Sequence, residues 1–164
     1  MSRYRFRRLR DSDLDLVATW LAAPHVRRWW GDPDTELTHI RAHLRGRNVR
    51  PYLVSLAGRP FAYIQCDDLQ GEPADPFGPQ PPGTRGIDFL IGEADLVGQG
   101  HGGAMLAAFV RGAFRLPAIT RVVSDPDPAN GASIGALRRA GFADHGAITT
   151  SEGPARLMGI DRAG

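Results

Sequence analysis

The densest concentration of possible chemistry in the chain is Gly98-Gln99-Gly100-His101-Gly102-Gly103. Glycines let backbone N–H groups approach a ligand closely. A helix that starts at such a turn adds the partial positive charge of its N-terminus, so the segment could hold a pyrophosphate. A dinucleotide-binding fold would put this loop after its first strand, with an acid about 20 residues further on. The phosphate loop of nucleotide hydrolases would contain Gly-Lys-Ser/Thr. Neither pattern is present, and a plain strand-to-helix turn is the other reading. A second segment, Asp125-Pro126-Asp127-Pro128-Ala129-Asn130, breaks regular structure and ends in a good helix N-cap. The helix it opens is stopped by Gly141.

Charge supplies the third feature. The chain carries 20 basic residues, all of them Arg, and 18 acids, for a net charge of +2. Residues 1–50 hold 11 Arg against six acids. Such a basic half could suggest nucleic acid, but no aromatics interleave with the Arg residues in the way that stacks bases, so solvated faces and no nucleic-acid partner are expected. Residues 67–95 are the reverse: Asp67, Asp68, Glu72, Asp75, Asp88, Glu93 and Asp95 face only Arg85. A cationic ligand would be drawn there. Cys66 is the single cysteine, which excludes an intramolecular disulfide; a small buried strand residue fits it better than a nucleophile. His25, His39, His43, His101 and His145 show no metal-ligand spacing with Cys or acids, so no metal is expected. No apolar run is long enough to cross a bilayer. Met1 to Arg10 alternates Arg with apolar residues and lacks the apolar stretch of a secretory signal, and Asp11, Asp13 and Asp15 fit a transit peptide poorly. A cytoplasmic location is expected.

The elements that must position these groups follow from the pattern. Tyr4 to Leu9 alternates large apolar and charged residues, as a half-buried strand does. Asp11-Ser12-Asp13 offers an N-cap to a helix with the stripe Leu14, Val17, Ala18, Leu21, and Pro24 lies past its end. His25 to Asp34, with Trp29-Trp30-Gly31, reads as a loop, and a helix is predicted from Thr35 to about Leu44. Strands over 51–57 and 60–67 meet at a Gly58-Arg59 turn in a hairpin. Residues 68–83 are rich in Pro, Gly and acids and read as a long irregular loop. Thr84 to Gly92 reads as a buried strand, and the glycine turn opens a helix with the stripe Met105, Leu106, Phe109, Val110, Phe114. A strand over 118–124, a helix from Asn130 to about Ala140, and a hairpin of 142–149 with 155–160 complete the chain. The order β-α-α-β-β-β-α-β-α-β-β predicts an α/β (α+β) fold, a mixed sheet with helices on both faces. The 164 residues fit one domain.

Val97-Gly98-Gln99-Gly100-His101-Gly102-Gly103, followed by Asn130 and then Gly141-Phe142, resembles the acetyl-CoA-binding core of the GCN5-related N-acetyltransferases (GNAT). Within that superfamily, four stretches resemble aminoglycoside 6′-N-acetyltransferases: Arg85 to Glu93, Ser124 to Asn130, His25-Val26-x-x-Trp29-Trp30-Gly31, and Thr149 to Ala155. Siderophore-building lysine N-acyltransferases share several of these features.

The resemblance covers nearly the whole chain. It implies a GNAT fold, a mostly antiparallel sheet of about six to seven strands with one splayed strand pair that admits acetyl-CoA. Backbone groups of Leu90, Ile91 and Gly92 would pair with the pantetheine arm. The amides of Gly98, Gln99, Gly100, His101, Gly102 and Gly103 would hold the pyrophosphate, and Asn130 would face the pantetheine or thioester. Asp88 would contact the reacting amine and take its proton; flanked by Ile87 and Phe89 in a buried strand, it would otherwise be costly. Asp125 would bind substrate or simply shape the Asp-Pro turn. Trp29 and Trp30 would serve one as a wall for a sugar ring and one as a core anchor. Asp68, Glu72 and Asp75 could flank a polycation.

One departure stands out: Leu137 occupies the position at which many relatives carry the Tyr that protonates the thiolate. The implied enzyme is an acyltransferase acting on a small-molecule amine, above all an aminoglycoside, as monomer or homodimer. The alternatives are a lysine or hydroxylysine acceptor, or a CoA-binding module without catalysis.

Overall fold

The computed structural model describes residues 2–69 and 77–164. Its elements are β1 (Tyr4–Arg8), α1 (Leu14–Ala22), α2 (Pro24–Trp30), α3 (Pro33–Arg45), β2 (Val49–Leu56), β3 (Arg59–Asp68), β4 (Thr84–Ile91), α4 (His101–Ala113), β5 (Arg121–Ser124), α5 (Gly131–Arg139), β6 (Ala143–Thr150) and β7 (Gly153–Asp161). Short 3-10 turns occupy Asp11–Asp13 and Ala94–Leu96. The strands form one seven-stranded sheet in the order β1-β2-β3-β4-β5-β7-β6. β4 and β5 run parallel, while β1 with β2, β5 with β7, and β6 with β7 are antiparallel. This is the mixed sheet expected from the sequence.

Three expectations need correction. The stretch after α1 is a helix, α2, and not a loop. Ala23 is extended (φ −64°, ψ 135°), as the residue before a proline prefers, and Pro24 then starts α2 at the position where its missing N–H is not needed. Gly31, at φ 83°, ends α2, and the Asp32 carboxylate caps α3 through the Thr35 N–H at 2.9 Å. The hairpin turn is Ala57-Gly58, both with positive φ (50° and 85°), one residue earlier than predicted. Asp68 belongs to β3 and not to the loop after it.

The chain divides into two compact units, each built from two stretches: Met1–Cys66 with Phe89–Val97, and Asp67–Asp88 with Gly98–Gly164. The first has a core of Leu9, Leu14, Val17, Trp20, Leu21, Val26, Ile40, Leu53, Tyr63 and Leu90. Asp13 is buried at its edge, and its carboxylate accepts two hydrogen bonds from Arg7 and one from the Arg10 N–H, each at 2.8 Å. In the second, Phe77 and Val123 pack together with Leu69 and Leu157. There α4 lies against α5, at Gly103: a Cβ at that position would sit 2.9 Å from the Arg139 Cβ and 3.3 Å from the Ala136 carbonyl.

Candidate active site

The second unit contains a short parallel ladder. β4 pairs with β5 only from Thr84 to Gly86, opposite Arg121 to Val123. At the next step the Ile87 carbonyl accepts a hydrogen bond from the buried Ser124 hydroxyl at 2.9 Å. Asp125-Pro126 follows, and the Pro126 carbonyl turns to β7, where it accepts the Arg156 N–H at 3.0 Å.

Carboxylates gather beside this point. A Cβ on Gly86 would lie 3.1 Å from the Phe77 ring and 3.7 Å from the Asp67 Cβ, so Asp67 and Gly86 share a face. Side chains alternate along a strand, which puts Asp88 on the same face. Asp125 lies close enough to Glu152 and Asp67 for both charges to act on it. Burial pushes the Asp67 carboxyl up to about 6, and its Oδ1 has no hydrogen-bond partner among the described residues. Asp125 is pushed up to about 6 by burial first, and then by Glu152 and Asp67.

These two acids differ from four others that the structure pairs with Arg. Asp13, Asp95, Asp144 and Asp161 each accept hydrogen bonds from an Arg, which is the main reason they sit below the usual carboxylate range. Among the described residues neither Asp67 nor Asp125 forms an ion pair, in a chain with 20 Arg. A half-buried carboxylate without a cation of its own is a place where an ammonium group from outside would be held.

The predicted site residues divide accordingly. Asp88 stands at the carboxylate face but is exposed, so the desolvation argument made from its apolar neighbours does not hold. Asp125 joins the cluster. Asp68 is exposed and forms an ion pair with Arg85 at 3.2 Å. Glu72 and Asp75 lie outside the described residues. Trp30 packs on the first unit's core, edge-on to Tyr63 (6.0 Å, 78°), and is the anchor; Trp29 instead lies under the Arg28 guanidinium at 4.7 Å.

The glycine segment divides into two roles. Gly98 (φ 75°) and Gly100 (φ 82°) adopt left-handed backbone that favours glycine, and Gly100 starts α4 with no side-chain cap. Gln99 is exposed between them. His101, Gly102 and Gly103 form the first turn of α4, where Gly103 is needed for packing on α5. Asn130 is buried, and its Oδ1 accepts the Ser133 N–H at 3.2 Å, capping α5. Leu137 is fully buried, so no polar group reaches out from that position. Sequence reasoning missed Asp67 as a site residue, although it stood in the acid-rich run, and Glu152, although it stood in the closing hairpin.

In the first unit, the end of β4 is held from several sides. The Gly92 N–H donates to the Phe61 carbonyl at 2.7 Å, and the Ile91 carbonyl meets His25 Nε2 at 2.9 Å. The Trp20 indole lies directly on Gly92, where a Cβ would come within 2.1 Å of the ring. Trp20 Nε1 donates to Glu93 at 3.3 Å, and Arg59 grips Asp95 with two hydrogen bonds of 2.9 Å.

The model of the acetyltransferase (GNAT) domain family matches residues 10–150. The chain belongs to the GNAT acetyltransferases. Aminoglycoside N(6′)-acetyltransferase type 1 of Klebsiella pneumoniae is 32% identical over 166 residues, spanning 93% of this chain and 80% of that protein. The aminoglycoside acetyltransferase AAC(6′)-Ib, solved with coenzyme A and kanamycin, has a TM-score of 0.86 at 30% identity, covering 97% of this chain and 95% of its own. The same enzyme solved with acetyl-CoA superposes with a TM-score of 0.87 at 30% identity, over 99% of this chain and 94% of its own. Lysine N-acyltransferase MbtK of Mycobacterium sp. (strain MCS) is 25% identical over 124 residues, 73% of this chain and 51% of that protein. No helix among the described residues of this GNAT chain is long and apolar enough to cross a membrane.

Proposed function

We propose that the 164 residues act as one acetyltransferase domain that transfers acetyl from acetyl-CoA directly to a primary amine of a polycationic small molecule, an aminoglycoside at its 6′-amine. The observation that carries this reading is the pair of half-buried carboxyls, Asp67 and Asp125, without an Arg partner among the described residues and on the side of the exposed Asp88. An acceptor with several ammonium groups supplies the missing cations. The relatives named for aminoglycoside acetylation support the same acceptor class.

In this reading the amides of Gly98 to Gly103, at an α4 N-terminus with no side-chain cap, hold the pyrophosphate. Backbone groups of Leu90 to Gly92 pair with the pantetheine arm, and Asn130 faces it. Asp88 accepts the ammonium proton, directly or through water, and its exposure puts it within reach of a bound acceptor. The freed amine attacks the thioester carbonyl, the C–N bond forms, the C–S bond breaks, and the thiolate leaves. With Leu137 buried, water or the substrate's own ammonium group supplies the thiolate's proton. Trp29 is the aromatic left to border a sugar ring. Asp68, with Glu72, adds negative charge at the rim. The enzyme works in the cytoplasm as a monomer or homodimer, and antibiotic resistance is the role that fits.

A lysine-type acceptor is the second reading, supported by the similarity to the mycobacterial lysine N-acyltransferase. The two are separated by thiol release from acetyl-CoA with kanamycin, tobramycin, lysine and hydroxylysine, run beside Asp88→Asn. Turnover of the aminoglycosides that Asp88→Asn reduces at least about a hundredfold supports the proposal. Turnover of the lysines alone moves the chain to the second reading. No turnover of any amine by a protein that binds CoA leaves a CoA-binding module.

A further inference from the structure

We propose that His25 is a positioning residue for acetyl-CoA: its ring fixes the Ile91 carbonyl at the end of β4, and with it the backbone that pairs with the pantetheine arm. This rests on the reading of Leu90 to Gly92 given above. The Ile91 carbonyl can only accept, so His25 Nε2 carries the hydrogen and donates across 2.9 Å.

Successive residues of a strand present their N–H and C=O groups to opposite edges. The Gly92 N–H points to Phe61 of β3, so the Ile91 carbonyl points to the other edge. The Ile87 carbonyl, four residues earlier, points to that edge too, and there Ser124 holds it. Thus two carbonyls on one edge of β4 are satisfied by side chains, at a stretch where β5 no longer pairs with the strand. Ser124 acts where the ladder stops, and His25 acts at the end of the strand.

The imidazole is well placed to do this. Pro24 starts α2 and sets its direction, Val26 is buried in the core, and Trp30 leans edge-on against Tyr63. His25 is therefore delivered by a helix fixed on both sides of it. The remaining contacts of this segment, Trp20 on Gly92 and Phe61 with the Gly92 N–H, constrain the backbone from other directions. Phe61 holds the N–H of the Ile91–Gly92 peptide and His25 holds its C=O from the opposite edge, so losing His25 removes one of the two anchors of that peptide. A small rotation of one peptide displaces the groups that a bound arm would meet, and misplacement of about 1 Å in such a contact is enough for large losses.

The test uses the whole protein with three variants: His25→Ala, His25→Phe, which keeps a ring without a donor, and His25→Gln, which keeps an N–H donor. Coenzyme A affinity is measured by calorimetry without acceptor, and KM for acetyl-CoA and for kanamycin by thiol release. The expected result is about tenfold weaker CoA binding and higher acetyl-CoA KM in the Ala and Phe variants, the size of one lost hydrogen bond. The kanamycin KM stays within twofold, and Gln restores most of the loss. Wild-type CoA affinity in the Phe variant overturns the proposal, as does a Gln variant no better than Phe. If the Ala variant fails to fold, the Phe and Gln pair decides. A wild-type protein that binds no CoA overturns the acetyl-CoA reading itself, which is a different result from equal binding by wild type and variants.

Discussion

Replacing Asp67 with Asn is expected to stabilise the protein at neutral pH and to weaken its hold on a cationic acceptor. Burial raises the Asp67 carboxyl from 3.8 to about 6. The native state therefore keeps a proton that the unfolded chain has already released between about pH 4 and pH 6. For a raised carboxyl the sign is that stability falls as pH rises through this window and levels off above it. A shift of about two pH units at about 1.4 kcal/mol each sets an upper bound of about 3 kcal/mol. Asp125 titrates in the same range and feels Asp67, so the two share the effect, and about 2 kcal/mol is expected for the single change. Asn keeps the volume, removes the charge and relieves Asp125 of one neighbour. Urea unfolding of both proteins at pH 4 and pH 8 measures this: the variant should be more stable by about 2 kcal/mol at pH 8 and within about 0.5 kcal/mol at pH 4. In thiol-release assays the same variant should show a higher KM for kanamycin and an unchanged KM for acetyl-CoA. A variant less stable than wild type at pH 8, or one whose gain is the same at both pH values, would refute the claim that an unpartnered buried charge is held there.

Gly103→Ala should lower stability by about 1–3 kcal/mol, because its Cβ would meet Arg139 at 2.9 Å and push α4 from α5; thermal unfolding checks it. Leu137→Tyr should lose a similar amount by overpacking a fully buried site and should not raise kcat; a stable variant with faster turnover would show that this position does reach the thioester. The kcat/KM for kanamycin should fall as pH drops below about 6, where Asp67 and Asp125 take up protons and stop attracting ammonium groups, and Asp125→Asn should flatten that limb.

What the sequence made legible was local. The glycine segment, the Asn130 cap and the Gly141 stop lie within a few residues of the backbone they shape, so spacing alone finds them. α2 escaped because a seven-residue helix is too short for a periodic stripe, and Pro24 serves as well to end one helix as to start another. The choice between Asp67 and Asp68 was silent for a different reason. Phe61 to Ile64 in β3 are all fully buried, so the strand has no apolar alternation from which to tell one face from the other. Asp88 misled because apolar sequence neighbours do not reveal what covers a side chain from above the sheet: Ile87 is buried and Asp88 is not. The contact of His25 with Ile91 joins residues 66 positions apart, which no pattern along the chain can report.

The choice between acceptors follows from charge balance at the site. Lysine and hydroxylysine carry a carboxylate beside their amines, and that group would enter a face where Glu152 and Asp67 already act on Asp125. An opposing Arg could neutralise it, as Arg7 does for Asp13 and Arg59 for Asp95, but Asp67 and Asp125 have none among the described residues. An aminoglycoside carries only amines and hydroxyls, so each group it brings can satisfy a carboxylate or stay hydrated. In the proposed site, the cost of half-burying two acids with no ion-pair partner among the described residues would be recovered on binding, and selectively: a monocation would leave one carboxylate unpaired, whereas a polycation would reach both. The discrimination is thus expected to scale with the number of ammonium groups on the acceptor rather than with its size.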